Sequence, residues 1–226
     1  MVHVYAVDIT DLPDPLGYPK LMEELSENRK QKIIECRQQE SRKQSLGAGL
    51  LLRHVLKSHG ILEQAIWTGK YGKPETEGIY FNLSHSKNMV VCAVSESIVG
   101  CDIEKISKLP EKVADRFFCE NEIKYLNQVS IEKRTEEFFR LWTMKESYIK
   151  MTGEGLHLPL NRFEVCFSEE GIKARRDGEI QKCFFKEYDI PGYKLTICAK
   201  EKEFAEQILF RFHIDEICQH EYITNI

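Results

Sequence analysis

The chain is predicted to fold as an α+β protein, a pseudo-twofold pair of similar α/β halves with a ligand site between them. Three observations predict it. Each half runs from helical segments into short strands. Met89-Val90-Val91-Cys92-Ala93 in the first half is echoed by Leu195-Thr196-Ile197-Cys198-Ala199 in the second. A polar, proline-bearing connector, Lys105 to Glu111, lies between them. The halves are accordingly placed at 1–104 and 105–226, and a cleft between two such units is a common place for a ligand.

Residues 1–9 alternate as a strand that Leu12-Pro13-Asp14-Pro15 breaks, and helices are expected over 18–38 and 40–58. In the second of these Leu46, Leu50, Leu51, Val55 and Leu56 recur at helical spacing, and Gly60 ends the run. Tyr71-Gly72-Lys73-Pro74 reads as a turn. Strands are expected at 79–83 and 89–94, joined by Ser84-His85-Ser86-Lys87-Asn88, with a further strand at 99–106. A helix over 112–127 precedes a long one over 131–151, closed by Gly153 and Gly155. Segments 163–167, 182–186 and 193–199 read as strands.

Composition excludes several classes. With 32 Lys+Arg against 36 Asp+Glu the formal charge is -4, which argues against a general nucleic-acid binder. The first residues lack the basic flank and apolar stretch of a signal peptide, and no run has the length that spans a bilayer. A cytoplasmic protein that does not enter a membrane is expected. The 8 cysteines form no Cys-x-x-Cys pair and no cluster with histidine, so they are expected to be reduced thiols.

The chemistry is concentrated in two segments, Val99-Gly100-Cys101-Asp102-Ile103-Glu104-Lys105-Ile106 and Phe139 to Lys150. On a strand, Asp102 and Glu104 project from one face, roughly 7 Å apart. On a helix, Glu146 and Lys150 sit one turn apart. Converging carboxylates repel one another unless a cation compensates. Oxygen ligands of this kind suit magnesium, which fills its remaining positions with water and substrate phosphates. Taken singly, each acid reads as an ordinary surface carboxylate in a chain that is 30% charged. Basic residues that could surround a phosphate ligand lie at 27–43, where Arg29, Lys30, Lys32, Arg37, Arg42 and Lys43 outnumber Glu27, Glu35 and Glu40. Lys70, Lys73, Ser84 and His85 add to them. The plainer readings are a solvated helix face and a loop histidine.

These segments carry a resemblance. Gly72-Lys73-Pro74, Phe81-Asn82-Leu83-Ser84-His85-Ser86, Val99-Gly100-Cys101-Asp102-Ile103-Glu104, Arg116-Phe117-Phe118 and Leu141 to Lys150, followed by Gly153-Glu154-Gly155-Leu156, occur in order over nearly the whole chain. Together they resemble the 4′-phosphopantetheinyl transferases of the two-halved, surfactin-synthetase-activating (Sfp) type. The resemblance implies that coenzyme A lies between the halves as substrate, with Mg2+ (or Mn2+) on its pyrophosphate held by Asp102, Glu104 and Glu146. Lys150 would touch the phosphates. Lys73, Ser84 and His85 match coenzyme A contacts, His85 near the 3′-phosphate, and Arg29 and Lys32 align with two further basic contacts. For one more basic contact Arg42 and Lys43 are both candidates.

The implied reaction moves phosphopantetheine to a serine of an apo acyl carrier or peptidyl carrier protein, of fatty acid, polyketide or nonribosomal peptide synthesis. Glu146 is the candidate base for that hydroxyl, with Lys150 offsetting charge on the pyrophosphate. Carrier docking is expected after Arg116-Phe117-Phe118. A monomer is expected, because one chain supplies both walls of the cleft. Two other readings are a metal-dependent phosphodiesterase or nuclease, disfavoured by the absence of a long basic groove, and a non-catalytic carrier-binding relative. The second predicts losses among the acid and lysine positions, and all are present.

Overall fold

The computed structural model describes residues 1–62, 65–108 and 113–213. Strand β1 (His3–Asp8) opens the first half. Two short 3-10 turns lead into α1 (Glu27–Glu35) and α2 (Gln39–Ser58). The hairpin β2 (Trp67–Thr68) and β3 (Pro74–Glu75) turns at Gly72, whose φ of 84° suits a residue without a Cβ. Then come β4 (Tyr80–Ser86) and β5 (Met89–Ser95). The second half runs β6 (Val99–Lys105), α3 (Val113–Phe117), α4 (Glu120–Gln128), α5 (Ile131–Thr152), β7 (Phe163–Ser168), β8 (Gly171–Arg176), β9 (Glu179–Ile180), β10 (Phe184–Ile190) and β11 (Tyr193–Ala199). The last described strand is β12 (Phe210–His213).

The strand order shows the internal repeat. One sheet is ordered β12-β1-β5-β4 and the other β10-β11-β6. Each half therefore makes a strand, a long helix and an antiparallel hairpin, with the later hairpin strand beside the first strand. β1, α2, β4 and β5 correspond to β6, α5, β10 and β11. The echoed segments Met89–Ala93 and Leu195–Ala199 are the corresponding central strands. Alternation then builds the layers. Val4, Ala6, Val91 and Ala93 of the first sheet pack against Cys101, Ile103, Leu195 and Ile197 of the second. Tyr5, Val7, Val90 and Cys92 point the other way, under α2. The outer face of β6 and β11 is covered by α5.

Several expectations shift at their edges. The single helix expected over 18–38 is broken, because Ser26 is extended at the N-terminus of α1 and Cys36 is extended at its end. The helix expected over 112–127 is two, α3 and α4, separated where extended Cys119 caps α4 and donates its backbone N–H to Glu122 Oε2 at 2.7 Å. Its first residue, and 109–111 of the expected connector, lie outside the described residues, as do 214–226 of the second half. Residues 84–86, read as a joining loop, continue β4, leaving Lys87 and Asn88 as the turn. β6, which the expected boundary at 104/105 leaves almost wholly in the first half, pairs along its whole length with β11 and is therefore grouped with the second. β12 returns to pair in parallel with β1. The described cysteines are free thiols; Cys218 lies outside the described residues. Among the described residues no helix is long and apolar enough to cross a membrane.

Candidate active site

Gly100 sets the geometry. Val99, Cys101 and Ile103 of β6 face the other sheet, so Gly100, Asp102 and Glu104 face α5. A Cβ at Gly100 would stand 2.2 Å from Ser147 O and Met151 N, so the backbone of α5 rests directly on the strand there. That contact brings the flanking helix residues Glu146 and Lys150 over Asp102. Lys150 Nζ donates to Asp102 Oδ1 at 2.6 Å, and Asp102 is only 4% exposed. Lys73, reaching from the β2–β3 hairpin, donates to Val99 O at 2.9 Å and Lys150 O at 2.8 Å. It thereby ties the start of β6 to the last turn of α5.

Among the described residues the other edge of β6 has no backbone strand partner, and side chains of β4 take that place. Asn82 Oδ1 accepts from Cys101 N at 2.8 Å, Ser84 Oγ from Ile103 N at 3.3 Å and Ser86 Oγ from Lys105 N at 3.0 Å. The N–H groups of 101, 103 and 105, alternate residues that face β4, are thus satisfied. The serines also donate, Ser84 to Asp102 Oδ1 at 3.0 Å and Ser86 to Glu104 Oε2 at 2.8 Å. Ser84 accepts a further bond from Lys150 Nζ at 3.0 Å.

Charge is crowded here. Burial raises the carboxyl of Asp102, against the pull of Lys150 and the bond from Ser84. Burial also raises Glu104, reinforced by Asp102, and raises Glu146, reinforced by Asp102 and Glu104. Lys150 is drawn down by burial but raised more by Asp102, Cys101 and Glu146, so it carries its charge at neutral pH. Among the described residues Asp102 Oδ2 is buried with no hydrogen-bond partner. Among the described residues no three His, Cys, Asp or Glu side chains close around a common point. An all-oxygen set with one unmet buried oxygen and mutually repelling acids nevertheless fits a hard divalent cation that takes its other ligands from water and phosphate.

Of the residues singled out in the sequence, Ser84, Asp102 and Lys150 touch one another, and Glu104 and Glu146 are within electrostatic reach. His85, the neighbour of Ser84 on a strand, points from the opposite face and is exposed. Burial on its protein side lowers its pKa, and Lys150 and Arg29 lower it further, which connects α1 electrostatically to the site. Lys32 lies one turn beyond Arg29 and is exposed. Arg42 is committed to Asp14 (Nε–Oδ1 2.9 Å, Nη2–Oδ2 2.5 Å) and to Cys36 O and Arg37 O. Lys43 gives one donor to Thr10 O at 3.0 Å, which leaves it the more available of the two.

Sequence reasoning did not single out Asn82, Ser86 or Gly100. The alternation Asn82, Ser84, Ser86 was the available signal. Lys145 of the helix motif is fully buried and bonds Glu122 at 2.6 and 2.7 Å and Phe163 O at 2.7 Å. It anchors α4 and β7 to α5 rather than facing the site.

Beside Glu146 and Lys150 opens a cavity of about 830 Å³, walled by Tyr71 and Lys73 of the first half and by Phe117, Trp142, Ile149 and Leu158 of the second. A mainly apolar chamber thus meets a cluster of acids and cations at Glu146 and Lys150.

A profile of the 4′-phosphopantetheinyl transferase superfamily matches residues 98–198, from the start of β6 to β11. The chain is 32% identical over 197 residues to the 4′-phosphopantetheinyl transferase Sfp of Bacillus subtilis, covering 84% of this chain and 88% of that one. It is 37% identical over 168 residues to the 4′-phosphopantetheinyl transferase psf-1 of Bacillus pumilus, covering 70% and 72%. A solved holo-(acyl-carrier-protein) synthase from Bacillus anthracis, in complex with CoA, matches 45% of this chain and 92% of its own, at 19% identity and a TM-score of 0.39. The chain belongs to the 4′-phosphopantetheinyl transferase superfamily.

Proposed function

We propose that the protein transfers the 4′-phosphopantetheine group of coenzyme A to a serine of an apo acyl carrier or peptidyl carrier protein, releasing adenosine 3′,5′-bisphosphate. The observation that carries the reading is Glu146 and Lys150 standing over Asp102 at the wall of a cavity made by both halves. The serine oxygen forms a bond to the β-phosphorus as the bond from that phosphorus to the bridging oxygen breaks. The hydroxyl proton must leave during attack, and Glu146 is the acceptor. Its raised pKa makes it a stronger base than an exposed glutamate. Lys150, kept charged by Asp102, stands where negative charge grows on the departing pyrophosphate oxygen.

Asp102, Glu104 and Glu146 would hold Mg2+ or Mn2+. Such an ion supplies charge neutralisation on the pyrophosphate. Lys73, Arg29 and Lys32 supply fixed positive charge for the remaining phosphate, with Ser84 beside Lys150. His85, its pKa lowered by burial and by Lys150 and Arg29, takes up a proton more readily once a phosphate dianion lies beside it. Both walls of the cavity come from one chain, so the protein acts as a monomer, in the cytoplasm. The test is the mass of apo-carriers incubated with the protein and coenzyme A. A gain of one phosphopantetheine in Mg2+, absent in chelator, is the expected result. A panel of acyl and peptidyl carriers left unmodified in both Mg2+ and Mn2+ would overturn the reading.

A further inference from the structure

The β4–β6 seam has three rungs of one design, and they differ in what stands beside them. Asn82, Ser84 and Ser86 each accept one β6 backbone N–H, from residues 101, 103 and 105. The residues preceding those N–H groups are Gly100, Asp102 and Glu104. The first rung therefore meets no side chain, while each serine rung also donates to a carboxylate. A hydroxyl has a single proton to give. Because Ser86 Oγ is pinned by Lys105 N and spends its proton on Glu104 Oε2, it fixes which oxygen of Glu104 is occupied and how the carboxylate is turned.

From this geometry we propose that Ser86 is a positioning residue: strand β4 uses it to aim the Glu104 carboxylate of β6, the strand paired with the second half's β11, at the cation. The inference rests on the metal assignment proposed above. Ser86 does not contact the cation. It acts through Glu104, as groups behind metal ligands generally do, where their loss weakens metal binding by about 10–100-fold. Ser84 plays the same part for Asp102 but also touches Lys150, so its removal would change two groups together. Ser86 is the cleaner probe. Asn82 is the control for the backbone bond, because it accepts the same kind of N–H without donating to Asp102 or Glu104.

The experiment is Mn2+ binding to the full chain in the presence of coenzyme A, followed by electron paramagnetic resonance, alongside thermal melts. Ser86→Ala is expected to raise the Mn2+ Kd roughly 10-fold. Ser86→Thr, which keeps the hydroxyl, should restore most of that loss. Asn82→Ala should lower Tm without changing the Mn2+ Kd. An unchanged Kd in Ser86→Ala overturns the inference while leaving the metal assignment standing. Equal weakening in Asn82→Ala overturns it too, because the seam would then act only by holding the strands together. Failure of the unaltered protein to bind Mn2+ with coenzyme A present would instead remove the metal assignment, and this inference with it.

Discussion

The two halves use one arrangement for opposite ends. In the first, α2 lies on β1 and β5, and the strand side chains beneath it are Tyr5, Val7, Val90 and Cys92, part of a closed apolar cluster. In the second, α5 lies on β6 and β11, and the corresponding face of β6 carries Gly100, Asp102 and Glu104. The glycine that permits close approach has moved as well. Gly47 of α2 would meet the side chain of Ile9 with a Cβ at 2.6 Å, whereas Gly100 of β6 would meet helix backbone at 2.2 Å. The same repeat carries a closed apolar cluster in one half and the candidate site in the other, where two strand positions are acidic instead of apolar. The acids can remain there because the opposite half supplies hydroxyls and α5 supplies a lysine. The compensation is incomplete, as the raised carboxyls of Asp102, Glu104 and Glu146 show.

The sharpest way to break this contrast is Glu146→Gln, which preserves shape and removes the proposed base. Turnover is expected to fall roughly 10²–10⁴-fold. The loss should persist at saturating Mg2+, and the acidic limb of the pH–rate profile should flatten. Full recovery in high Mg2+ with that limb retained would reduce Glu146 to a metal ligand.

The halves should also differ in what their ion pairs contribute. Lys145 and Glu122 are buried, at 0% and 1% side-chain exposure, whereas Arg53 and Glu24 of the first half are paired at 21% and 53%. Lys145→Met should cost about 3–5 kcal/mol, since it strands a buried carboxylate. Arg53→Met should cost no more than about 1 kcal/mol. Chemical denaturation of both variants tests the pair, and equal losses would contradict the contrast.

Next in size is the pair of glycines. Gly100→Ala must push α5 away from β6, at a cost of about 1–3 kcal/mol. Displacing Glu146 and Lys150 should also lower turnover by about 10²-fold. Gly47→Ala meets the buried side chains of Ile9 and Val90 rather than the backbone of α5, so it should cost stability while turnover stays near that of the unaltered protein. Comparable activity in the two variants would show that α5 need not touch the strand.

The smallest effect concerns pH. The folded pKa of Glu146 lies above its ordinary value, so at a pH between the two the native state holds a proton that the unfolded chain has released. Its contribution to stability is present below the ordinary carboxylate range and is lost as pH rises through the raised folded value. In chelator, Glu146→Gln should therefore gain in Tm relative to the unaltered protein as pH rises through that window, and Mg2+ should narrow the gap. A difference that does not vary with pH would mean that the acids are already compensated without a cation.

Much of the second half's site was legible because its geometry is local. Asp102 and Glu104 two apart on a strand, and Glu146 and Lys150 four apart on a helix, share a face whatever surrounds them. The run 84–86 was not legible as strand, since serines and a histidine before a turn look solvated. Their hydroxyls in fact go to β6, a partner that alternation within β4 does not name.

By itself, then, the sequence determined the α+β class, the repeated strand, the long helix and the identity of the acids and lysine, because each depends on local periodicity or residue chemistry. Tertiary structure alone decided that β6 pairs with β11, that β12 returns to β1, that Lys145 is spent on Glu122 and that Arg42 is spent on Asp14. It also decided that Gly100 is the point where the backbone of α5 rests on β6. Each of these is a choice among partners far apart in the chain. Such choices follow from which buried donor, acceptor or charge finds compensation once the layers close, and no spacing along the chain encodes that.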